Sequence, residues 1–485
     1  METRNSLNNN INLPFRFLTD KQCEQIYEAA LNILGRTGAR ILYPEAVKML
    51  KDAGCRIDNE RVWIPERLVK WALNCAPTGF TMYTRDGKPA MHIRGDNSYF
   101  GGGPTCPNFI DLETGQRRPS TKGDVVNTSI ISDYLPNIDF VMSLCMISDK
   151  PAEAADIHEL DAMLRNTNKP IITWAFTAEA VGEQLEMLRA VAGGKEAFEA
   201  RPNCIVYTEP TTPLTHTYEA LRKMLYLAEN NVPLLYTPGM LMGAVTPVTI
   251  PASLAIGIAE NLTGLVLAQL KREGIAYLCS ADGTPMHMRT MQVQYGSPEA
   301  VMACAMGAEV FKYLNMPTWS LAGATDSKLY DQQASVESTM QIMMNYAVGA
   351  HLIHDVGFIE MGMTGCLEGL VIGDEIISAV RALFRRIEIS DRTLALDLID
   401  EVGPGGNFLT SDHTIDNYKE ELWTGELISN DVFADWKARG SKTMFQRANE
   451  KAKKILASYT REPLPADLVM ELDSIVKRAE QRVGG

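Results

Sequence analysis

The stretch PIITWAFTAEAVGEQLEMLRAVAGGKEAFEARPNCIVYTEP, residues 170–210, decides the fold class. It contains two apolar runs, at 170–177 and 203–210, with a helix-period segment at 178–194 between them. Apolar runs that alternate with helices are typical of a parallel sheet buried on both faces. The stretch therefore predicts an α/β fold.

The same alternation recurs along most of the chain. Further helix-period segments cover 122–135, 217–231 and 299–315. With an opening strand in NSYFGGG (97–103), the pattern predicts eight strands. The five apolar runs not yet given lie at 138–148, 232–239, 275–282, 317–326 and 350–358. Eight β/α units predict a TIM (β/α)8 barrel, and an open, doubly wound sheet is the main alternative.

The two ends of the chain follow a different pattern from the middle. Three short helices are predicted at 18–38, 44–54 and 65–77, the first capped by Thr19 or Asp20. We therefore divide the chain into an N-terminal helical extension packed on the barrel (1–95), the barrel (96–390) and a C-terminal helical segment (391–485).

Composition and charge exclude several classes of protein. The net charge of -14 leaves no basic surface for binding nucleic acid. No apolar run approaches the ~20 uncharged residues of a membrane-spanning helix, and METRNSLNNN has no signal-peptide pattern. Nine scattered cysteines without C-x-x-C suit a reducing compartment. We expect a cytoplasmic protein with no membrane partner.

Aromatic side chains are concentrated where the predicted strands end. In a barrel, functional residues collect at the carboxyl ends of the strands. Aromatic faces attract cations, quaternary ammonium above all, so the pattern predicts a cage for such a cation; core packing is the alternative for each ring. The candidate rings are Tyr99, Trp174, Phe176, Tyr207 and Tyr236, with Trp319 in reserve.

Familiar catalytic motifs are missing. GGGP at 101–104 matches neither a Walker loop nor a dinucleotide-binding turn. The histidines and cysteines lack zinc-site spacing, so no metal is expected, and no G-x-S-x-G marks a serine nucleophile. His354 and Asp355 could form an acid/base pair, and a structural histidine is the alternative.

Three segments carry a resemblance to a known family. They are YFGGGPTCPNFIDLETGQRRPSTKGD (99–124), AGATDSKLYDQQASVES (322–338) and VGPGGNFLTSDHTIDNYKEELW (402–423). Together they resemble the trimethylamine methyltransferase family, and more specifically its branch that lacks pyrrolysine. The order and spacing of the segments agree along nearly the whole chain.

The resemblance implies a TIM-barrel enzyme that takes a methyl group from a methylated amine. The acceptor it implies is cob(I)alamin, a corrinoid carried by a separate small protein. The chain has only the twenty standard residues, so the resemblance implies a quaternary amine and no pyrrolysine. We expect glycine betaine, with proline betaine, carnitine or γ-butyrobetaine also possible substrates.

The chemistry explains why a quaternary amine needs neither pyrrolysine nor a metal. Its nitrogen already carries a positive charge, so the departing tertiary amine leaves neutral and needs no protonation. In-line attack then depends on positioning and on electrostatic complementarity.

The resemblance suggests roles for the polar and glycine residues at the strand ends. His351 or His354 would bind a substrate carboxylate, and Glu209 or Asp326 would balance the cation; a solvated loop or helix cap is the alternative for both acids. The bare backbone of Gly101, Gly102 and Gly103, with Pro104, would let the corrinoid approach. A tight turn that needs glycine geometry is the alternative there.

Two other functions stay open from the sequence. One is a barrel that binds or senses a quaternary amine without catalysis. The other is an unrelated barrel lyase or hydrolase that uses His354 and Asp355. A large acidic barrel of this kind is also expected to form a homo-oligomer.

Overall fold

The N-terminal part of the chain combines helices with short strands. The computed structural model describes residues 15–484. The first elements are α1 (Asp20–Asn32), a π-helical turn (Ile33–Thr37), β1 (Ala39–Ile41), α2 (Pro44–Asp52), β2 (Arg56–Asp58), β3 (Arg61–Trp63), α3 (Glu66–Cys75), β4 (Phe80–Tyr83) and β5 (Pro89–Ile93). The three predicted helices are present, but a purely helical extension is wrong, because five strands of three to five residues separate and follow them. Such short strands carry too few residues for a recognisable alternation.

The middle of the chain alternates strands and helices, as expected. Its first half contains β6 (Tyr99–Phe100), β7 (Asn108–Ile110), β8 (Arg117–Pro119), α4 (Lys122–Tyr134), α5 (Ala155–Asn166), β9 (Ile171–Trp174), α6 (Ala178–Ala192), α7 (Lys195–Ala200), β10 (Cys204–Thr208), β11 (Thr215–His216) and α8 (Tyr218–Glu229). Its second half contains β12 (Leu234–Tyr236), β13 (Gly239–Met242), α9 (Ile250–Lys271), β14 (Tyr277–Leu278), β15 (Asp282–His287), β16 (Gln292–Val293), α10 (Pro298–Tyr313), β17 (Trp319–Leu321), α11 (Gln332–Ala347), β18 (Leu352–His354), β19 (Phe358–Ile359), β20 (Thr364–Gly365) and α12 (Leu367–Leu383). Short 3-10 turns cover Ala152–Ala154 and Glu360–Gly362.

The C-terminal part is helical. Its elements are α13 (Asp391–Leu394), α14 (Leu396–Val402), α15 (Asp412–Glu421), α16 (Phe433–Ala438), α17 (Met444–Ser458) and α18 (Ala466–Val483). Only α17 and α18 among these contain buried residues.

Local signals in the sequence explain the limits of α6. The Thr177 side chain accepts a hydrogen bond from the Ala180 backbone N–H and caps the first turn. Gly193 ends the helix with φ +84°, a left-handed conformation that glycine adopts at low cost. Helix α6 therefore begins and ends where the deciding stretch predicts.

Parallel pairing joins the strands that the apolar runs predict. One sheet has the order β14-β12-β10-β9, and another has the order β17-β18-β6. Single parallel bridges connect Gly101 with Phe140, Val141 with Ile171, and Cys279 with Thr318. The run at 138–148 contributes only bridge residues, because the chain leaves the sheet after Val141. The fold is α/β.

The interior between these strands is filled by one buried cluster. Each of the eight strand segments supplies at least one side chain, and the β4–β5 hairpin adds three more. The members are Met82, Met91, Ile93, Tyr99, Phe140, Met142, Ile172, Ile205, Leu235, Leu278, Trp319 and Leu352. We call this set the inner cluster; since side chains alternate along a strand, it identifies which residues face inward.

Helix α9 corrects the expectation that no apolar run approaches the length of a membrane-spanning helix. Over Ile250–Lys271 it is long and apolar enough to cross a membrane by length and composition, and 78% of that window is buried within the fold. The buried Glu260 interrupts the run, and its carboxylate accepts a hydrogen bond of 2.8 Å from the Thr212 hydroxyl.

Candidate functional site

The centre of the candidate site is a histidine–aspartate pair at the carboxyl end of β18. The Nδ1 atom of His354 lies 2.6 Å from Oδ1 of Asp355. Because Leu352 belongs to the inner cluster, His354, two residues later, faces the same interior. Asp355 has φ +82°, a region that non-glycine residues rarely occupy and that is common at functional sites.

One residue of the glycine triplet packs directly against this pair. A Cβ on Gly103 would fall 2.2 Å from the Asp355 carboxylate and 2.3 Å from the Phe358 ring. A Cβ on Gly101 would fall 2.2 Å from the Phe140 ring. The expected role of these two glycines in corrinoid approach is therefore corrected, because the space beside them is filled by protein. Gly102, whose nearest neighbour would be 3.6 Å away, and the half-buried Pro104 keep that role as a prediction.

An aromatic ring lies directly against the histidine. The rings of Trp319 and His354 stack with centroids 4.1 Å apart and planes 16° from parallel. Trp319 is buried, and its indole N–H has no hydrogen-bond partner within the described part of the chain. The stack fixes the plane of the imidazole.

A half-buried carboxylate, Asp282, lies beside the pair. It accepts a hydrogen bond of 2.7 Å from the Ser280 hydroxyl, and the Ser320 hydroxyl lies 3.3 Å away. Burial raises the pKa of Asp282, while the nearby His354 lowers it. Ser280 and Asp282 end the apolar run 275–282 that the sequence predicts as a strand, and the sequence analysis gave them no role.

Two tyrosines border the same space. The Tyr207 hydroxyl donates a hydrogen bond of 2.6 Å to Glu209. Burial raises the pKa of Tyr207 well above its usual value, and Glu209, Asp355 and Tyr295 raise it further. Tyr295 was missed because it follows the short strand β16 in a loop, where the sequence gives no periodic signal.

Trp174 is the last residue of β9, and Phe176 follows the strand. Their rings contact edge to face with centroids 4.6 Å apart. The Trp174 indole donates a hydrogen bond of 2.9 Å to Glu159, whereas the Phe176 side chain is exposed. Trp174 and Tyr207 are register partners in neighbouring parallel strands, so they lie at the same level.

Three residues that the sequence predicted to bind the substrate lie outside this site. Tyr236 follows the inner-cluster residue Leu235, so it faces outward, where its hydroxyl lies 2.8 Å from Nδ1 of His216. His351 precedes β18 at the amino end of the strand; its Nδ1 lies 2.9 Å from the Thr318 hydroxyl, and burial lowers its pKa to about 3. Tyr99 is the register partner of Leu352, so it lies one inward layer below His354.

Asp326 is engaged in holding a loop. Its carboxylate accepts hydrogen bonds from the backbone N–H groups of Tyr295 and Gly296, at 2.9 and 3.2 Å. Burial raises its pKa, although these two bonds lower it. Asp326 thus positions Tyr295, and Glu209 is the one of the two predicted acids that contacts a candidate ring.

Two surface clefts lie away from this site. One of about 730 Å³ borders Gly38 and Leu214, and one of about 430 Å³ borders Glu179 and Arg222. Neither is lined by a predicted site residue. Residues 15–484 contain no group of three or more His, Cys, Asp and Glu side chains placed to hold a metal ion.

Comparison with known proteins identifies the family. The family described as trimethylamine methyltransferase (MTTB) matches residues 2–484. The chain belongs to the trimethylamine methyltransferase family. It is therefore a methyltransferase, as the three resembling segments predicted.

The names of relatives in this family refer to different substrates. Trimethylamine methyltransferase MttB of Desulfitobacterium hafniense DCB-2 is 30% identical over 96% of this chain and 94% of its own length. Glycine betaine methyltransferase of Desulfitobacterium hafniense Y51 is 26% identical over 97% of this chain and 98% of its own.

A solved structure supports the fold alone. The monomethylamine methyltransferase MtmB of Methanosarcina barkeri superposes with a TM-score of 0.54 at 13% identity, covering 92% of this chain and 89% of that one. This family methyltransferase thus shares its α/β fold with a structurally known methylamine enzyme.

Proposed function

We propose that this methyltransferase moves a methyl group from a quaternary amine, glycine betaine in the first place, to the cob(I)alamin of a separate corrinoid protein. The observation that carries the proposal is an acidic, aromatic site in a member of this family. The rings of Trp319, Tyr207 and Tyr295 border it, and Phe176 stays a predicted ring. Larger betaines, namely proline betaine, carnitine and γ-butyrobetaine, fit the same chemistry.

The charges of the site favour a cation. Asp282, Asp355 and Glu209 form no salt bridge with a lysine or arginine anywhere in 15–484. Asp355 is buried, Asp282 half-buried and Glu209 exposed. Carboxylates that lack a lysine or arginine partner make the site acidic, so a bound cation would be stabilised there. Each well-placed ring adds about 0.5–2 kcal/mol of attraction for a quaternary ammonium group.

The proposed methyl transfer requires no proton. The acceptor supplies the electron pair for the new bond to the methyl carbon. The carbon–nitrogen bond breaks, and its electron pair stays on nitrogen as a neutral tertiary amine. The residues of this chain therefore need only to bind the amine, orient its methyl group and exclude water.

His354 is the residue that we assign to the substrate carboxylate. Asp355 occupies its Nδ1 atom, so Nε2 remains for the ligand. An imidazolium held by Asp355 would donate its Nε2–H to a carboxylate, and the Trp319 stack keeps that donor in one plane. His351 is no longer a candidate.

We also infer that the eight strand segments close into a (β/α)8 barrel. The support is the succession of parallel partners, which leads from β6 through Phe140, Val141, β9, β10, β12, β14, β17 and β18 back to β6. The inner cluster, which draws on all eight segments, supports it as well. Residues 1–95 and 391–485 are then additions to the barrel of 96–390, and a cytoplasmic homo-oligomer remains our expectation.

Single-turnover methylation of a reduced corrinoid protein tests the proposal. We would offer glycine betaine, the three larger betaines, choline and trimethylamine in parallel and follow the corrinoid absorbance. We expect conversion with one betaine. Replacement of His354 by Ala should slow that betaine about 10- to 100-fold, as expected for a lost bond to a charged group, and leave choline, which has no carboxylate, little changed.

Other outcomes would point to other functions. Conversion with trimethylamine alone would contradict the charge argument. Amine binding without conversion, with the corrinoid still reduced, would favour a binding protein. Turnover that needs no corrinoid but is lost in His354→Ala would favour a lyase or hydrolase.

A further inference from the structure

The chain at the carboxyl end of β9 is held by polar side chains from the helices around it. Gln184 of α6 donates a hydrogen bond of 2.7 Å to the Trp174 carbonyl. Lys223 of α8 donates one of 2.6 Å to the Ala175 carbonyl. The Gln184 side chain is fully buried, and Lys223 is half-buried. Because ordering and burying long polar side chains costs free energy, this segment is fixed more firmly than chain connectivity requires.

Helix α5 supplies two further contacts from its first turns. The Oδ2 atom of Asp156 accepts a hydrogen bond of 3.0 Å from the Phe176 backbone N–H. The Oε2 atom of Glu159 accepts one of 2.9 Å from the Trp174 indole N–H. The two acids are three residues apart, so they lie on one face of the helix, and both are fully buried. Asp156 therefore fixes the backbone of the segment, whereas Glu159 fixes a ring.

Charge pairing does not explain the burial of Glu159. Its second oxygen, Oε1, accepts a hydrogen bond of 3.1 Å from the Ile147 backbone N–H, so both oxygens face N–H donors. It forms no ion pair with a lysine, arginine or histidine of residues 15–484. A buried carboxyl without a cationic partner is costly, and an apolar side chain of similar volume would avoid that cost. Stability therefore does not account for an acid at this position.

The ring that Glu159 holds lies beside the candidate site. Ile172 belongs to the inner cluster, so Trp174, two residues later on β9, faces the same interior. The register partner of Trp174 on β10 is Tyr207, which borders the site. Neighbouring strands lie about 4.8 Å apart, so the two side chains are adjacent. The strand therefore places the Trp174 ring next to the site, and Glu159 binds it at the indole N–H.

We propose that Glu159 is a positioning residue for methyl transfer, which holds the indole of Trp174 so that its face meets the quaternary ammonium group of the substrate. A cation–π contact requires the cation to lie over the ring face, so a ring that turns about its side-chain bonds loses it. The hydrogen bond to Glu159 and the edge-to-face contact with Phe176 remove that freedom before the substrate binds. The inference rests on the proposed function, because it assigns Trp174 to the amine of that reaction.

Calorimetric binding of glycine betaine to the full chain tests this assignment in a double-mutant cycle. Glu159→Leu removes both acceptor oxygens at similar volume, and Glu159→Gln keeps one of them. We expect Glu159→Leu to weaken binding about 3- to 30-fold and Glu159→Gln to weaken it less. In a Trp174→Phe background, which has no indole N–H, Glu159→Leu should change the affinity by less than about twofold. If Glu159→Leu does not fold, the same cycle is measured with Glu159→Gln.

A signal from Trp174 itself separates positioning from general damage to the fold. In protein labelled with fluorotryptophan, the fluorine resonance that Trp174→Phe removes belongs to Trp174. Glu159→Leu should shift or broaden that resonance in the free protein, and glycine betaine should shift it in the unmodified protein. The matched control Asp161→Asn changes another buried acid of α5, which is paired with Lys122 and Arg165 at 2.6 Å. It should lower the unfolding free energy and leave the resonance and the affinity unchanged.

Several results would overturn the proposal. An unchanged Trp174 resonance in Glu159→Leu would show that the hydrogen bond does not hold the ring. Full affinity in that variant, or an equal loss of affinity with and without Trp174→Phe, would make Glu159 a structural residue alone. Glycine betaine that binds without moving the Trp174 resonance would place the amine elsewhere. If the unmodified protein binds none of the betaines, the proposed function fails, whereas the resonance of the free protein still shows whether Glu159 holds the ring.

Discussion

At the scale of single residues, the glycine triplet illustrates how three identical residues differ in what they tolerate. Gly103 is packed against Asp355 and Phe358, and Gly101 against Phe140. Gly102 has no neighbour closer than 3.6 Å to an added Cβ. Gly103 is therefore set by packing around the histidine–aspartate pair and Gly101 by packing against Phe140, and the middle position is free to serve another purpose.

Replacement of Gly103 by Ala should damage both stability and activity. The added methyl group overpacks the site and costs about 1–3 kcal/mol of unfolding free energy. It must also displace the Asp355 carboxylate, so methyl transfer should fall at least tenfold. Urea unfolding and the single-turnover assay would measure the two effects.

Gly102→Ala is the matched control in the same triplet. It should unfold like the unmodified protein, because its Cβ would make only ordinary contacts. If this variant keeps its stability and its amine affinity but loses transfer to the corrinoid, the bare backbone at 102 serves the approach of the acceptor. A fully active and stable Gly103→Ala variant would refute the packing argument.

At the scale of elements, helix starts are the most predictable feature of this chain. Thr19 was one of two predicted caps for α1, and the structure has a full capping box: the Gln22 N–H donates to the Thr19 hydroxyl at 3.3 Å, and the Thr19 N–H donates to the Gln22 side chain at 2.9 Å. The signal is local, so it survives folding unchanged.

Thr19→Ala should therefore cost about 1 kcal/mol of unfolding free energy. The loss comes from the missing hydroxyl that accepts a hydrogen bond from the Gln22 N–H at the start of α1. Thr19→Ser keeps the hydroxyl and should be nearly neutral. Urea titration of the three proteins would measure the differences, and equal midpoints for Ala and Ser would show that the cap contributes nothing.

The direction in which strand side chains face, inward or outward, was the least predictable feature of the secondary structure. The runs around Tyr207 and Tyr236 are apolar at almost every position, because both faces of the sheet are buried. Without alternation, the sequence cannot tell an inward ring from an outward one. Tyr207 therefore faces the candidate site and Tyr236 packs against α9, although the two looked equivalent.

At the scale of the whole molecule, several buried carboxyl groups share one electrostatic property. Burial raises the pKa of Glu159 to about 8, of Glu260 and Glu309 to about 7, and of Asp156 to about 6. Each therefore keeps a proton in the folded chain at pH values where the unfolded chain has lost it. Their contribution to stability is present at low pH and is lost as pH rises through these values.

The contribution of these carboxyl groups to the unfolding free energy should accordingly fall between about pH 5 and pH 8.5. Glu159→Gln, which removes one of the titrations, should make that fall smaller by about 1–3 kcal/mol. The exposed Glu113→Gln should leave it unchanged. Urea unfolding at the two pH values would compare the proteins, and an equal slope in Glu159→Gln would show that Glu159 does not titrate in this window.

The sequence by itself determined the α/β class, the helix limits and the family, because these depend on local periodicity, capping residues and contiguous motifs. It also brought His354, Asp355, Tyr207 and Glu209 into consideration. Only the tertiary structure decided that His351, Tyr236 and Asp326 lie outside the candidate site, and that Asp282 and Tyr295 belong to it. The physical reason is that a site assembles from strand ends far apart in the chain, and which side chains meet there depends on register and facing, which continuous apolar runs do not encode.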